Sequence, residues 1–222
     1  MTGESKHAHI VLGYRMNRGI LRTFMLAAST MILPMQQALA DAPQSQRDAL
    51  TAFYNTHGGP GWTAAQHWNT ADPVCGPDPW FGITCDQGDT TVTRIQLSNN
   101  GLTGALPADF SAWPDLEMFA VNDNALAGAI PSTLLNGAAH LVSFIAYSND
   151  LTGSVPALSG APLLQELQLA NNQLSGSFPD LSALAGLELL DVSGNELSGT
   201  LAANAFTVLP VLRYVRISQT QL

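Results

Sequence analysis

From Val92 to the last residue, one spacing of apolar side chains recurs six times, 23 to 25 residues apart. The first copy runs Val92, Ile95, Leu97, Asn100, Leu102, Gly104, Leu106, Pro107. The second is Leu116, Phe119, Val121, Asn124, Leu126, Gly128, Ile130, Pro131, and the third Leu141, Phe144, Ala146, Asn149, Leu151, Gly153, Val155, Pro156. Leu164, Leu167, Leu169, Asn172, Leu174, Gly176, Phe178, Pro179 follow, then Leu187, Leu190, Val192, Asn195, Leu197, Gly199, Leu201. The sixth copy, Leu212, Val215, Ile217, Thr220, Leu222, is incomplete. No single copy can bury its apolar side alone, so the chain must stack its copies as coils around a shared core: a solenoid.

Each coil's chemistry follows from the spacing. Residues such as Ile95 and Leu97 alternate inward with the period of a strand, and stacking coils pairs those strands into a parallel sheet. Asn100, Asn124, Asn149, Asn172 and Asn195 sit where the chain turns away from the strand. There a buried amide satisfies backbone groups of its own turn and of the neighbouring coil, each bond being worth about 1 kcal/mol net. Thr220 stands at the sixth such place, so the ladder weakens there. The glycines that follow permit tight backbone geometry, and the prolines after four of them are expected to mark convex turns. The fifth copy has Ala202 where the others have proline, with Phe206 and Leu209 filling a less regular coil.

Residues 1–40 read as a leader rather than as structure. Arg15, Arg18 and Arg22 precede a short apolar run that ends at Ala38-Leu39-Ala40, the pattern of a secretory signal peptide. The run is too short, and too broken by Ser29, Thr30 and Pro34, to span a bilayer. Met16 is an alternative start, and no cysteine near the cleavage point suggests lipidation. The expected mature chain starts at Asp41 and is secreted or periplasmic. It carries four arginines, no lysine and sixteen carboxylates, a net charge of about −12. Such a surface repels phosphate backbones and anionic lipid, so neither nucleic acid nor a membrane is an expected partner. In an oxidising compartment the only two cysteines, Cys75 and Cys85, are expected to pair. A zinc site is the competing reading, weakened by the lack of a matching histidine pair.

Residues 41–91 are expected to cap the first coil. A helix is expected over 45–57, with Ser45 as N-cap and Ala49, Leu50 and Phe53 on one face, ended by Gly58-Gly59-Pro60-Gly61. Trp62, Trp68 and Trp80 follow; covering the solenoid's open edge is their expected role, with a carbohydrate-stacking platform as the alternative. Arg47-Asp48-Ala49-Leu50-Thr51-Ala52-Phe53-Tyr54, Trp68-Asn69 and Trp80-Phe81-Gly82-Ile83-Thr84-Cys85-Asp86 match one known cap motif. Repeats such as Leu102-Thr103-Gly104-Ala105-Leu106-Pro107 match the L-x-G-x-I-P variant that accompanies it. Over 45–222 the chain thus resembles the plant-type leucine-rich-repeat family. That family includes receptor-kinase ectodomains and inhibitors of pectin-cleaving enzymes and is similar to secreted bacterial proteins; the lack of lysine and of N-x-S/T sites points toward a bacterial member. The resemblance implies a curved α/β solenoid: a parallel sheet on the concave face over residues 92–222, and a small helical, disulfide-stapled cap.

The strand residues between the inward leucines face the concave side. Met118, Ile145, Tyr147, Leu189 and Tyr214 are informative there because the core does not need them apolar. Glu166, Gln168, Asp191 and Arg216 lie beside them as polar partners for a ligand. The face measures on the order of 500 Å², which suits a peptide or a short glycan; a protein partner would also use the rim, the cap or the end. After Leu212, Val215 and Ile217 the last coil is open, for which end-to-end self-association, partner docking or a shortened gene product would each account. No catalytic motif and no cofactor site is legible: His57, His67 and His140 are scattered, and the Glu166/Asp191 pair lies on an open face unsuited to shifting a pKa. The expected function is non-catalytic binding of a protein or peptide. Binding of cell-wall glycan, inhibition of a glycosidase in the manner of polygalacturonase inhibitors, and a self-assembling structural role are the alternatives.

Overall fold

The structure, a computed structural model, describes residues 40–201 and 205–221. Residues 1–39 of the expected leader, Ala202 and Leu222 lie outside the described residues. Helix α1 (Gln44–Thr56) opens the cap. It starts on Pro43, whose φ of −52° already suits a helix and whose carbonyl accepts from Gln46 N and Arg47 N. Ser45, expected as the N-cap, therefore lies inside the first turn. The helix buries Leu50 and Phe53. A 3-10 turn, Gly59–Gly61, redirects the chain into the tryptophan segment.

The tryptophans are core, not platform. Trp62 and Trp68 lie 5.0 Å apart and Trp68 and Trp80 5.1 Å apart, all three buried. Their indole N–H groups donate to the carbonyls of His57, Phe81 and Asp72. Phe53 meets Phe119 edge-on at 6.2 Å, which joins the cap's core to that of the repeats. Cys75 and Cys85 form the disulfide, with a Cα–Cα distance of 5.7 Å.

Twelve strands follow one another as β1 (Ile83–Cys85), β2 (Val92–Gln96), β3 (Thr103–Gly104), β4 (Met118–Ala120), β5 (Ala125–Ala129) and β6 (Ser143–Ile145), then β7 (Asp150–Gly153), β8 (Glu166–Gln168), β9 (Gln173–Gly176), β10 (Leu189–Asp191), β11 (Glu196–Leu197) and β12 (Tyr214–Arg216). The main sheet has the order β1-β2-β4-β6-β8-β10-β12. From β2 onward it is parallel, one strand per coil, as the spacing predicts. The cap's β1 is antiparallel to β2 and covers that edge, a strand the sequence reading does not anticipate. Ile95, Phe119, Phe144, Leu167 and Leu190 stack inward and are buried. Val215, paired with Leu190, is 38% exposed, because β12 is the edge strand among the described residues.

A second sheet, ordered β11-β9-β7-β5-β3, also escapes the sequence reading. The leucine-to-glycine segments that were expected only to permit tight turns pair in parallel from coil to coil. Gly104, Gly128, Gly153, Gly176 and Gly199 do adopt positive φ, between 73° and 106°. A Cβ on Gly153 would lie 3.3 Å from that of Ala129, so glycine also lets these strands approach closely.

The asparagine ladder joins neighbouring coils. Asn149 Nδ2 donates to Val121 O (3.0 Å) and its Oδ1 accepts from Leu126 N (3.0 Å), both in the preceding coil. Asn172 repeats this with Ala146 O and Leu151 N, and Asn195 with Leu169 O and Leu174 N. Asn124 Nδ2 reaches back to Leu97 O, and Asn100 reaches the cap through both Ala64 N and Ala64 O. Thr220 has only a hydroxyl to offer and donates to Ile217 O within its own coil. The residue before each ladder position takes the left-handed conformation: Asn99, Asp123, Ser148, Asn171, Gly194 and Gln219 have φ between 49° and 64°. Asparagine, aspartate and glycine tolerate that region best, which explains most of the residue types found there.

Candidate functional site

Register arranges the concave residues in rows that cross the strands. One row is Arg94, Met118, Ser143, Glu166, Leu189, Tyr214, and the next is Gln96, Ala120, Ile145, Gln168, Asp191, Arg216. Each step across the sheet is about 4.8 Å. Nine residues were singled out from sequence, and register brings eight of them onto these two rows: Met118, Ile145, Glu166, Gln168, Leu189, Asp191, Tyr214 and Arg216. Tyr147 follows β6 by two positions.

Their exposure is less uniform than the alternation of the strands suggests. Met118, Ile145, Tyr147, Glu166, Gln168 and Leu189 are half-buried, whereas Tyr214 is 65% exposed. Asp191 is only 8% exposed, and Asn122 and Ser143 are buried as well. The cause is side-chain pairing, both within a coil and across to the next strand, that sequence alone does not show. Asp191 Oδ1 accepts from Ser193 N (3.0 Å) and Ser193 Oγ (2.6 Å), while its Oδ2 lies 3.7 Å from Arg216 Nη1. Asp191, expected to accept donors from a ligand, is thus already engaged. Glu166 differs: Ser143 Oγ donates to Oε2 (2.8 Å) and Gln168 Nε2 donates to Oε1, both neutral donors. The Tyr147 phenol titrates above its ordinary range, first because of burial and then because of the nearby Asp123 carboxylate, which it hydrogen-bonds.

Two hollows open at the C-terminal half of this face. One, of about 220 Å³, is lined by Gln168, Leu189, Leu190, Asp191, Tyr214 and Arg216. The other, of about 250 Å³, includes Ser143, Glu166, Glu188, Leu189 and Tyr214 in its lining. Leu189 and Tyr214 belong to both and form an apolar ridge between them. Every described arginine faces a carboxylate: Arg47 faces Asp41, Arg94 faces Glu117, Arg213 faces Glu188 and Arg216 faces Asp191. Among the described residues no group of three or more His, Cys, Asp or Glu side chains is placed to hold a metal ion.

Two polar anchors behind the site also escape the sequence reading. Gln46, on the buried face of α1, donates to Thr91 Oγ1 (2.9 Å) and accepts from Val92 N (2.8 Å), which ties the helix to the start of β2. His57 stacks on Phe53 with ring centroids 3.9 Å apart and hydrogen-bonds Ala105 O at 2.5 Å. Gln46, Leu50, Phe53 and His57 follow helical spacing, so a stripe that admits polar residues would have found both.

Residues 43–86 match the leucine rich repeat N-terminal domain, and residues 91–113 and 163–183 match the leucine rich repeat. The receptor-like kinase TMK2 of Arabidopsis thaliana is 39% identical over 106 residues, which is 46% of this chain and 11% of that protein. The chain spans between 7% and 14% of the length of the first curated relatives it matches. The BIR2 ectodomain of Arabidopsis thaliana superposes with a TM-score of 0.64 at 29% identity, covering 72% of this chain and 84% of that one. The plant peptide hormone receptor RGFR1, solved in complex with RGF2, superposes with a TM-score of 0.56 at 32% identity, over 60% of this chain and 21% of that one. These relatives are plant proteins and lend no support to the bacterial source that the lack of lysine from Asp41 onward suggests. The chain folds as a leucine-rich-repeat solenoid whose cap matches the leucine rich repeat N-terminal domain, and it is similar to the ectodomains of plant receptor kinases.

Proposed function

We propose that the chain is a non-catalytic binding module that recognises a protein or peptide on the concave face, between β6 and β12. The observation that carries this reading is the set Ile145, Leu189 and Tyr214, apolar side chains left half-buried or exposed where the solenoid's core makes no use of them. The similarity to a plant peptide hormone receptor solved in complex with RGF2 supports the same reading. The burial of Trp62, Trp68 and Trp80 takes from the glycan alternative the aromatic platform it would use. Export, to the cell exterior or periplasm, is supported by the disulfide and by the leader pattern in residues 1–40. No helix among the described residues is long and apolar enough to cross a membrane.

The test is affinity capture from extracellular extract, with the wild-type chain and an Ile145→Asn/Leu189→Asn variant side by side. Both changes replace half-buried concave residues without touching the inward stack. The reading expects a partner held by wild type and lost with the variant; a partner retained equally by both would move recognition off this face. A second reading, pairing of two solenoids through β12, is favoured by the exposure of Val211, Tyr214 and Val215. It predicts a mass that rises with concentration in sedimentation, and a constant monomer mass would exclude it.

A further inference from the structure

We propose that the concave face selects a basic peptide: a lysine or arginine side chain seated on Glu166, with an adjacent apolar side chain over Leu189 and Tyr214. This rests on the peptide-binding reading above and adds the ligand's charge. Glu166, Leu189 and Tyr214 are successive members of one registered row, so they present a carboxylate, an aliphatic group and an aromatic ring at steps of about 4.8 Å. The full row of six strands covers about 24 Å, the reach of roughly seven extended residues.

The carboxylate is the unusual member. Two neutral donors, Ser143 and Gln168, fix its orientation, yet no cation among the described residues pairs with it. A carboxylate offers about four acceptor sites, so each oxygen keeps capacity for a charged donor. The hollow beside it is also lined by Glu188, whose partner Arg213 sits at 3.6 Å with a largely exposed side chain. An acidic ligand would meet two carboxylates there. All four described arginines already face carboxylates, and the chain from Asp41 onward carries a net charge of about −12. The arginines of this face, Arg94 and Arg216, are each matched by a carboxylate of the chain itself, whereas a ligand cation gains both the unpaired Glu166 and the long-range field. The aliphatic stem of a lysine or arginine would lie along Leu189, its charged end reaching Glu166.

The experiment pans a displayed library of random seven-residue peptides against the full chain, against Glu166→Gln, and against Ile145→Asn/Leu189→Asn. Wild type is expected to enrich peptides with lysine or arginine next to an apolar residue. The dissociation constant of such a peptide should rise roughly fivefold for Glu166→Gln, and little for Glu166→Asp, which keeps the charge. Replacing the peptide's basic residue by glutamine should cost the same factor, and the two changes together no more than either alone. Far-UV circular dichroism of each variant separates loss of binding from loss of fold. Peptides that depend on Ile145 and Leu189 but enrich apolar or acidic residues would overturn the charge assignment and leave the concave-face reading standing. A library that yields no binder, or binders indifferent to Ile145→Asn/Leu189→Asn, would overturn both.

Discussion

Replacing Asn172 by alanine tests whether the ladder holds the coils together. The Asn172 amide donates to Ala146 O (3.0 Å) and its carbonyl oxygen accepts from Leu151 N (3.0 Å), so both cross-coil bonds rest on one side chain. Its contacts with Leu169 O and Ala170 O, at 3.1 and 3.2 Å, stay within its own coil. Truncation leaves the buried Leu151 N–H without its acceptor, which costs about 1–3 kcal/mol, and removes the bond to Ala146 O, worth about 1 kcal/mol. The expected destabilisation is therefore about 2–4 kcal/mol. Thr220 supplies the internal control: it makes one bond, within its own coil, at a half-buried position. Thr220→Ala should cost about 1 kcal/mol or less. Urea unfolding followed by far-UV circular dichroism gives both values. Tryptophan fluorescence in the same samples reports on the cap and first coil, where all four tryptophans lie. Divergence of the two signals in Asn172→Ala alone would show the array splitting at the weakened joint. A change below about 0.5 kcal/mol for Asn172→Ala, or one no larger than for Thr220→Ala, would refute the reasoning.

Three further outcomes follow from the cap and the first coil. The disulfide closes a loop of sequence separation 10, so a Cys75→Ser/Cys85→Ser variant should lose about 2.7 kcal/mol in urea unfolding; a loss under about 1 kcal/mol would show that the loop is held by its packing instead. His67 titrates above its ordinary value, first because Asp72 accepts its hydrogen bond and then because of the charge of Asp78, with partial desolvation opposing both. Its stabilisation is accordingly full below the ordinary histidine value of about 6.5 and is lost as pH rises through the raised one. An NMR titration should find the raised value in wild type and a fall toward the ordinary one in Asp72→Asn; no change on that substitution would rule out the pairing. Trp80 Nε1 donates to Asp72 O, whereas buried Trp113 Nε1 has no partner among the described residues. Trp80→Phe should therefore cost about 1 kcal/mol more than Trp113→Phe in the same urea assay, and the reverse order would contradict that assignment.

What the sequence made legible was whatever repeats. Ile95, Phe119, Phe144, Leu167 and Leu190 align because each coil must present the same inward group to its neighbour, and the asparagines align because each turn carries the same exposed backbone groups. The second sheet was not legible, because a strand as short as Thr103–Gly104 has no alternation to read and Ala125–Ala129 holds no β-branched or aromatic residue. The state of Asp191 was hidden for another reason: whether a concave carboxylate is free depends on the local turn that brings Ser193 back to it and on the register that sets Arg216 beside it. Glu166, with the same alternation and the same charge, kept its capacity only because its neighbours Ser143 and Gln168 are neutral. The anchoring roles of Gln46 and His57 were not legible because a stripe read for apolar residues passes over the polar groups that join it.

The central claim, that recognition takes place on the concave face, is tested most directly by photocrosslinking from inside it. A benzoylphenylalanine at position 145 would sit on β6 among the proposed contacts, and one at position 127 would sit on exposed β5 of the second sheet. Each variant would be irradiated in extracellular extract and resolved by mass. The account predicts a partner-sized adduct from position 145 and none from position 127. An adduct from position 127 with none from position 145 would contradict it.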